Sequence, residues 1–465
     1  MTLTVLSDQQ VSAILEGLTL ATLDEFRHVL ASALHEISTN TGADGRDEYQ
    51  QPLRISTRHA ASKVTTLYMP SCGPQGMGCK VVSLPPTGAI ADLSPKASAP
   101  TGVINLFSPD GTPIALVHAR TLTAFRTALA STCLLNRRAN VRTITVFGSG
   151  EQAYWHVRLA LMMRGSTIRH VNVINRRFSE NAAAILQKFT LLPQAVKEHE
   201  GWAQARFGLL TPSFHEYDRL LKEQLRGSDV IYCCTPSREP LFPASILTSH
   251  EGRKRGRLIV AVGSYTRDMC ELPEGVLLQA TKTHEHHWHF HRHAKEAGVI
   301  IVDSIEGVLK EAGEIISAKI NPNHLVELGE LVMLHRLAIE ESESDSSGNR
   351  TPQSADFDQF DGSDKASVTT INGEEISRPC TPLGTAPSGF ASSTHSRKSS
   401  MQLPFRRKSI SPPESEKTDD SLSRWLRDGT VVYKSVGLGL MDLVIGMHLV
   451  KLANEAQLGT MVQGF

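Results

Sequence analysis

The feature that most constrains the fold is a glycine-rich turn near the middle of the chain, in the stretch TVFGSGEQAYWH at 145–156. A β-branched and aromatic run ends at Phe147, and the turn is followed by a helix-compatible segment. In the pattern G-x-G-x-x-A, the glycines permit a tight turn and a close approach to a pyrophosphate, and the small third residue lets the helix pack against the strand. Many tight strand-to-helix turns contain two glycines, so the surrounding sequence must decide.

From the strand before this turn onward, strands alternate with helices along the chain. Near-continuous apolar runs, separated by helical segments, occur in TITVFG, VNVINRR, DVIYCC, LIVAVGS and VIIVDS. Such runs predict a parallel sheet that is covered on both faces. Upstream, Ser7–His35 has apolar residues at helical spacing, and 64–120 holds short β-rich runs with a hairpin turn at SPDG (108–111). The glycine turn therefore opens a parallel-sheet domain that follows a β-rich one.

One segment differs from the rest in composition. From about 341 to 423 the chain is rich in Ser, Thr, Pro, Asp and Glu and poor in apolar residues, which predicts a disordered insert. Within it, SRKSS (396–400) and FRRKSISPP (405–413) place serines such as Ser409 beside basic residues or before proline. Two interpretations stay open: a phosphorylation-controlled segment, in which an added phosphate changes the local charge, or a passive linker.

These observations predict an α/β fold in which a Rossmann-type parallel-sheet domain is inserted into a β-rich α+β domain. The predicted boundaries are 1–139 for the first part of the β-rich domain, 140–322 for the Rossmann domain, 323–340 for a return to the β-rich domain, 341–423 for the disordered insert, and 424–465 for the C-terminal part of the β-rich domain. A substrate is expected between the two domains, where the carboxyl ends of the parallel strands open onto a cleft.

Charge and cysteine content narrow the class of protein. Lys+Arg and Asp+Glu both number 48, so nothing favours nucleic acid or an anionic membrane as a partner. Seven cysteines without a C-x-x-C pair indicate free thiols in a reducing compartment. No apolar run reaches the roughly 20 residues that span a bilayer, and MTLTVLSDQQ lacks a basic segment followed by an apolar core. We expect a soluble, cytoplasmic protein.

The end of the second parallel strand predicts which dinucleotide binds. NAD-preferring sites carry Asp or Glu there, whereas this strand ends at Asn175-Arg176-Arg177. Arginine binds phosphate in a bidentate manner, so the pair favours NADP(H) over NAD(H), although solvated arginines at a strand end would look the same. Later strand ends, at Cys234-Thr235 and Gly263-Ser264, fall on the nicotinamide side. The positions predicted to bind the cofactor are Gly148, Ser149, Gly150, Glu151, Gln152, Asn175, Arg176, Arg177, Thr235, Val262, Ser264 and Ser435.

Together these segments resemble the ornithine cyclodeaminase/mu-crystallin family, from about Leu53 to the C-terminus. The resemblance is carried, in order, by LTAFRTALAST (122–132), VFGSGEQA (146–153), VNVINRR (171–177), AVGSYTRDMCEL (261–272), VDSIEGVLKEAGEI (302–315), VELGELV (326–332) and YKSVGLGLMDLV (433–444). It implies a homodimer whose β-rich domain binds substrate and dimerises, a small cyclic imino or amino acid as substrate, and no metal.

The resemblance also implies three catalytic residues. PLR (52–54) resembles the segment whose arginine binds the substrate carboxylate, which indicates Arg54, with Arg58 as a competing choice. GCKVV (78–82) resembles the segment of the catalytic lysine, Lys80, and FRT (125–127) that of a second carboxylate-binding arginine, Arg126. The residue types suit an α-imino acid, because arginine pairs with a planar carboxylate and a lysine of lowered pKa can protonate the nitrogen. The structural alternatives are a surface lysine on a strand for Lys80 and an ion pair on a helix face for Arg126.

One departure from the family pattern distinguishes two reactions. Family cyclodeaminases resemble AVGGD at the fourth Rossmann strand, where the aspartate handles protons; here the run is AVGSY, with Tyr265 in its place. Asp268 lies three residues on and is expected to point elsewhere. This departure and the Asn-Arg pair favour NAD(P)H-dependent reduction of a cyclic ketimine over conversion of ornithine to proline and ammonia. An amino-acid dehydrogenase and a non-enzymatic binder of small ligands are further alternatives.

A histidine-rich patch, HEHHWHFHRH at 284–293, resembles a metal site. His286 and His289, or His287 and His291, could share a helix face, but no carboxylate or cysteine completes a tetrahedral set. We expect a solvated loop or adventitious metal binding rather than a functional site.

Overall fold

The computed structural model describes residues 2–39, 48–84, 100–282, 298–332 and 422–465. The histidine-rich patch at 284–293 and nearly all of the predicted insert, including Ser409, lie outside these residues. The described part comprises two β-sheets with helices around them. All six cysteines in it are free thiols. Of its helices, none has both the length and the apolar character to cross a membrane.

The first sheet has seven strands. They are β1 (Thr2–Leu6), β2 (Ile55–Arg58), β3 (Thr65–Gly73), β4 (Gly76–Leu84), β5 (Thr101–Phe107), β6 (Pro113–His118) and β15 (Thr460–Gln463), in the spatial order β15-β1-β6-β5-β4-β3-β2. Only β1 and β6 pair in parallel; the other pairs are antiparallel. The predicted SPDG turn joins β5 to β6, with Gly111 at φ +86°.

The second sheet has eight strands, all parallel. They are β7 (Thr143–Phe147), β8 (His170–Ile174), β9 (Arg206–Leu210), β10 (Val230–Cys233), β11 (Leu258–Ala261), β12 (Ile300–Val302), β13 (Leu325–Glu327) and β14 (Val431–Lys434), in the order β13-β12-β14-β11-β10-β7-β8-β9. The chain leaves β7 toward β8 and later returns to the other side at β10. The crevice beside β7 is thus the topological switch point at which such sheets bind ligands.

The helices follow the strands in the expected alternation. They are α1 (Asp8–Glu16), α2 (Leu20–Thr39), α3 (Ala119–Leu135), α4 (Glu151–Arg164), α5 (Glu180–Leu191), α6 (Gln194–His199), α7 (Tyr217–Gly227), α8 (Ser245–Thr248), α9 (His250–Arg253), α10 (Glu274–Ala280), α11 (Ile305–Glu311), α12 (Gly313–Ser317), α13 (Leu328–Val332), α14 (422–428) and α15 (Gly439–Glu455). The almost wholly buried α3 packs against α4 and links the two sheets. The stretch Ser7–His35, predicted as mostly helical, holds α1 and most of α2, and Gly17 ends α1.

Two short strands lie elsewhere than the predicted boundaries place them. We predicted that 323–340 and 424–465 belong to the β-rich domain, but β13 pairs with β12, and β14 lies between β11 and β12. The apolar runs of β13 and β14 are buried within a parallel sheet. The rest of the C-terminal segment does join the first sheet, because α15 packs on β3, β4 and β5, and β15 pairs with β1.

Candidate active site

A cavity of about 630 Å³ lies between the carboxyl edge of the parallel sheet and the face of β3 and β4. It is lined by residues of both sheets, of α3 and of the glycine turn. Most of the predicted site residues line it: Arg54, Lys80, Arg126, Gly148, Ser149, Gly150, Glu151, Gln152, Asn175, Thr235, Val262 and Ser435. Arg176, Arg177, Ser264 and the competing Arg58 are absent from this lining.

Lys80 and Arg126 meet at one buried carboxylate, Asp442 in the first turn of α15. The Lys80 Nζ donates to Oδ2 of Asp442 at 2.6 Å, and the Arg126 Nε donates to Oδ1 at 3.1 Å. The exposed fractions of the three side chains are 3%, 3% and 1%. Because a buried charge is tolerated only when it is paired, Asp442 is what allows two cations to stand at this depth.

Burial sets the protonation of Lys80. Desolvation lowers the pKa of Lys80 to about 8, Asp442 opposes the shift, and Arg126 adds to it. An ammonium with this pKa is largely protonated at neutral pH and is a much stronger acid than an exposed lysine. It can therefore hand a proton to a nitrogen in the cavity.

Arg54 lies at the other side of the cavity and is already partly engaged. Its Nε and Nη2 pair with the carboxylate of Glu311, and Nη2 also donates to the carbonyl oxygen of Val436 at 3.2 Å. Desolvation lowers the pKa of Arg54 to about 10. Within the described residues, Nη1 has no hydrogen-bond partner, so one face of the guanidinium remains for a ligand carboxylate.

The glycine turn has the backbone geometry that close approach to a pyrophosphate requires. Gly148 has φ +105°, and a Cβ there would lie 2.8 Å from the carbonyl oxygen of Cys234. Gly150 is the N-cap of α4, and a Cβ there would meet no atom within 4 Å. The open space beside Gly150 and the backbone N–H groups at the start of α4 together suit a bound phosphate anion.

Charged side chains surround the outer end of the cavity. Glu151 pairs with Lys188 at 3.0 Å and lies 3.8 Å from Arg120, and all three line the cavity. Asn175 also lines it, whereas Arg176 and Arg177 follow directly and are exposed.

Glu271 organises the opposite wall. Its buried carboxylate accepts hydrogen bonds from the backbone N–H groups of Thr235 (2.7 Å), Gly263 (2.7 Å) and Ser264 (3.1 Å). It thus ties together the two loops that follow β10 and β11. Desolvation raises the pKa of Glu271 to about 7, and the nearby Lys434 opposes the shift.

The side chain of Ser264, a residue predicted to contact the cofactor, is part of a buried ion cluster. Its hydroxyl lies 2.5 Å from Oε2 of Glu314, and the Lys434 Nζ donates to the hydroxyl and the carbonyl oxygen at 2.6 Å each. The hydroxyl turns inward because a polar residue at a strand end can bond buried charges that need a partner, and a contact of Ser264 with the cofactor stays a prediction. Ser435 does line the cavity, and its hydroxyl donates to Asp303 at 2.6 Å.

Tyr265 stands in the cavity wall, and Asp268 lies outside it. Tyr265 lies close enough to Arg54 for the guanidinium to oppose the increase that desolvation causes in the tyrosine pKa. Asp268 is exposed, accepts from the Thr266 hydroxyl at 2.5 Å and pairs with Arg238 at 3.1 Å. Among the described lining residues, the only carboxylate is Glu151.

Sequence reasoning missed Asp442, Glu271, Glu314 and Lys434. Asp442 is the only charged residue in the first two turns of an otherwise apolar helix, which is a readable signal, since a charge on a buried face requires a partner. Lys434 ends a buried strand and carries a similar signal. For Glu271 and Glu314, which lie in short loop and helix segments, we find no comparable pattern in the sequence.

Comparison with known proteins finds relatives by sequence and by fold. Residues 20–203 match the model of the ornithine cyclodeaminase/mu-crystallin family. A Delta(1)-pyrroline-2-carboxylate reductase of Bacillus cereus is 26% identical over 269 residues, which are 57% of this chain and 68% of that protein.

Two solved structures share the fold. The Thermococcus litoralis Delta(1)-pyrroline-2-carboxylate reductase in complex with NADH and L-proline aligns over 99% of each chain, with a TM-score of 0.59 and 20% identity. An archaeal alanine dehydrogenase dimer with bound NAD aligns over 100% of each chain, with a TM-score of 0.58 and 16% identity. Over residues 20–203 the chain is thus similar to the ornithine cyclodeaminase/mu-crystallin family, and it shares the fold of these two structures.

Proposed function

We propose that the protein is an NAD(P)H-dependent oxidoreductase that reduces a cyclic ketimine or a related α-imino acid. The observation that carries the proposal is the position of Lys80, which is buried against Asp442 and lines the same cavity as the glycine turn. A proton donor and a dinucleotide cradle on one cavity are what C=N reduction requires. The Bacillus cereus relative, named a Delta(1)-pyrroline-2-carboxylate reductase, supports this class of reaction.

In the proposed reaction, the substrate carboxylate pairs with Arg54 and Arg126. Lys80 then gives its proton to the imine nitrogen, and Asp442 stabilises the lysine in its charged form beforehand. A dinucleotide held at the glycine turn would supply the hydride to the imine carbon. The hydride and the proton together convert C=N to CH–NH, and solvent reprotonates Lys80.

Tyr265 supports reduction over cyclodeamination. Ring closure with loss of ammonia needs a group that handles protons near the substrate, and Tyr265 stands where family cyclodeaminases carry an aspartate. Asp268 is paired with Arg238 at the surface and does not replace it. We also propose a homodimer, in keeping with the dimer of the archaeal alanine dehydrogenase.

The test is NADPH and NADH oxidation by purified protein with five- and six-membered cyclic 2-carboxy imines. Parallel reactions would contain ornithine and NAD, with ammonia measured. Oxidation that depends on the imine is expected. Ammonia release from ornithine without imine reduction would instead identify a cyclodeaminase, and dinucleotide binding without either reaction would identify a binding protein.

We propose that Arg176 and Arg177 confer a preference for NADP(H). A protein with both residues changed to glutamine is expected to lose about tenfold or more of its affinity for NADPH, because each guanidinium would make charge-assisted hydrogen bonds to a 2′-phosphate. Its affinity for NADH should stay within about twofold by the same reasoning. Fluorescence titration with both dinucleotides measures this, and equal losses for the two would contradict the assignment.

The two turn glycines give a second prediction. Gly150→Ala should leave the melting temperature unchanged, because the added Cβ meets no atom, yet weaken dinucleotide binding by about tenfold by occupying the space that the pyrophosphate approaches. Gly148→Ala should lower the melting temperature, because φ is +105° and the Cβ would meet the Cys234 carbonyl. Thermal denaturation and dinucleotide titration separate the two effects. Normal binding by Gly150→Ala would place the pyrophosphate elsewhere.

A further inference from the structure

A second cavity, of about 640 Å³, adjoins the proposed substrate cavity and is strongly basic. We call it the basic chamber. Six cationic side chains and two carboxylates line it, at the start of β2 and on the β2–β3 hairpin, in the loops after β10 and β11, and at the end of α11: Arg54, Arg58, Lys63, Arg238, Arg267, Lys310, Asp268 and Glu311. Such an excess of one charge in a concave site attracts a ligand of the opposite sign.

The two carboxylates do not neutralise this charge. Glu311 pairs with Arg54, and Asp268 pairs with Arg238. Within the described residues, neither Arg58 nor Lys63 has a carboxylate within ion-pair distance. Both lie on the same hairpin, so the chamber presents two cations that are available to an incoming anion.

The chamber is continuous with the substrate cavity. Arg54, Leu67, Leu84 and Tyr265 line both. The register of the first sheet explains why: Leu84 pairs with Thr65, and Thr65 pairs with Arg58. Directly opposed residues lie on the same face of a sheet, and so do alternate residues of one strand, so Lys80 and Arg58 share one face.

From this geometry we infer that the substrate carries a second anionic group, which the basic chamber binds through Arg58 and Lys63 while the α-carboxylate lies near Arg54 and Arg126. The inference rests on the proposed function for the identity of the reacting end. The inference extends the proposed function by defining the substrate class, which is imino or amino acids with an acidic group on an extended side chain.

The strand geometry sets the length of that side chain. Four residues along β4 separate Lys80 from Leu84, about 13 Å, and two strand spacings separate Leu84 from Arg58, about 10 Å. The lysine and arginine side chains shorten the gap, but a ring without a substituent does not bridge it. The distal acid must stand several bonds from the C=N group.

Ligand binding tests the inference without requiring turnover. We would titrate the protein, with and without NADPH, with α,ω-dicarboxylates from succinate to pimelate and with monocarboxylates of equal length. The longer dicarboxylates are expected to bind about tenfold more tightly than the matched monocarboxylates, as expected for an added charge-assisted contact, and the advantage should shrink at high salt. An Arg58→Gln/Lys63→Gln protein should lose this advantage and keep its monocarboxylate affinity.

The control variant is Arg206→Gln/Lys222→Gln, which removes two exposed cations on β9 and α7 and should retain the preference. Equal affinities for mono- and dicarboxylates in the wild type would overturn the inference. A dicarboxylate preference that survives in Arg58→Gln/Lys63→Gln would overturn it as well. Failure of the imine assay alone would count against the proposed function, because the titration measures binding only.

Discussion

A Lys80→Met protein is expected to reduce cyclic imines with kcat/KM lowered by about 10²–10⁴-fold, the range that a positioned proton donor contributes. Methionine fills the buried position with a side chain of similar length but has no proton to give. In the wild type, kcat/KM should be highest below the Lys80 pKa of about 8 and fall above it, because only the protonated lysine is a donor. Steady-state rates across pH measure both effects.

The dinucleotide provides the control for this variant. NADPH affinity should stay within about twofold of the wild type, because Lys80 is assigned to the imine nitrogen and not to the phosphates. Lys222→Met, on the exposed face of α7, is the matched control and should retain full activity. A Lys80→Met protein with wild-type kcat/KM, or a wild type whose rate does not fall above pH 8, would exclude Lys80 as the donor.

An Asp442→Asn protein is expected to be destabilised by roughly 3–5 kcal/mol, because the change leaves Lys80 and Arg126 buried without a counter-charge. Its remaining activity should also respond differently to pH. Asp442 raises the pKa of Lys80 against the effect of burial, so its loss lowers that pKa further. The alkaline fall in kcat/KM should therefore move to below pH 8. Urea denaturation and a pH–rate profile measure the two parts.

A double variant keeps this prediction testable if Asp442→Asn folds poorly. Lys80→Met/Asp442→Asn removes one of the two uncompensated cations and should be more stable than Asp442→Asn alone. Asp218→Asn, an exposed carboxylate change on α7, serves as the control for stability. If Asp442→Asn keeps wild-type stability and the same alkaline limb, Asp442 does not hold the two cations.

The sequence specifies the two sheets well where the local pattern agrees with the final environment. The apolar runs around Phe147, Ile174 and Cys233 are buried strands as predicted. A strand that is covered on both faces is apolar at nearly every position, so the run itself indicates its burial. Strands β1, β2 and β15 were not predicted. β2 and β15 are edge strands with exposed side chains, and they are defined by pairing with a neighbour rather than by their own composition.

The site was predictable only in part. The glycine turn lies where its pattern indicates, because the φ of +105° at Gly148 is a local backbone requirement that the residue type itself reveals. Lys80 and Arg126 were chosen by resemblance, and what holds them was not foreseen: Asp442 is far away in sequence and reaches them only through the packing of α15. The direction of the Ser264 hydroxyl could not be predicted either, because it depends on Glu314 and Lys434, which are distant in sequence.

The position of β14 has a consequence for biosynthesis. In a chain leaving the ribosome, β11 and β12 are synthesised long before β14, the strand that lies between them. Until β14 is added, each has an edge with unpaired backbone N–H and C=O groups. The same final segment supplies β15 and, through α15, Asp442. Nascent chains therefore cannot acquire a competent site early. Premature termination before Val431 would yield a product with an open sheet and two uncompensated cations, a species marked for aggregation or degradation rather than for partial activity.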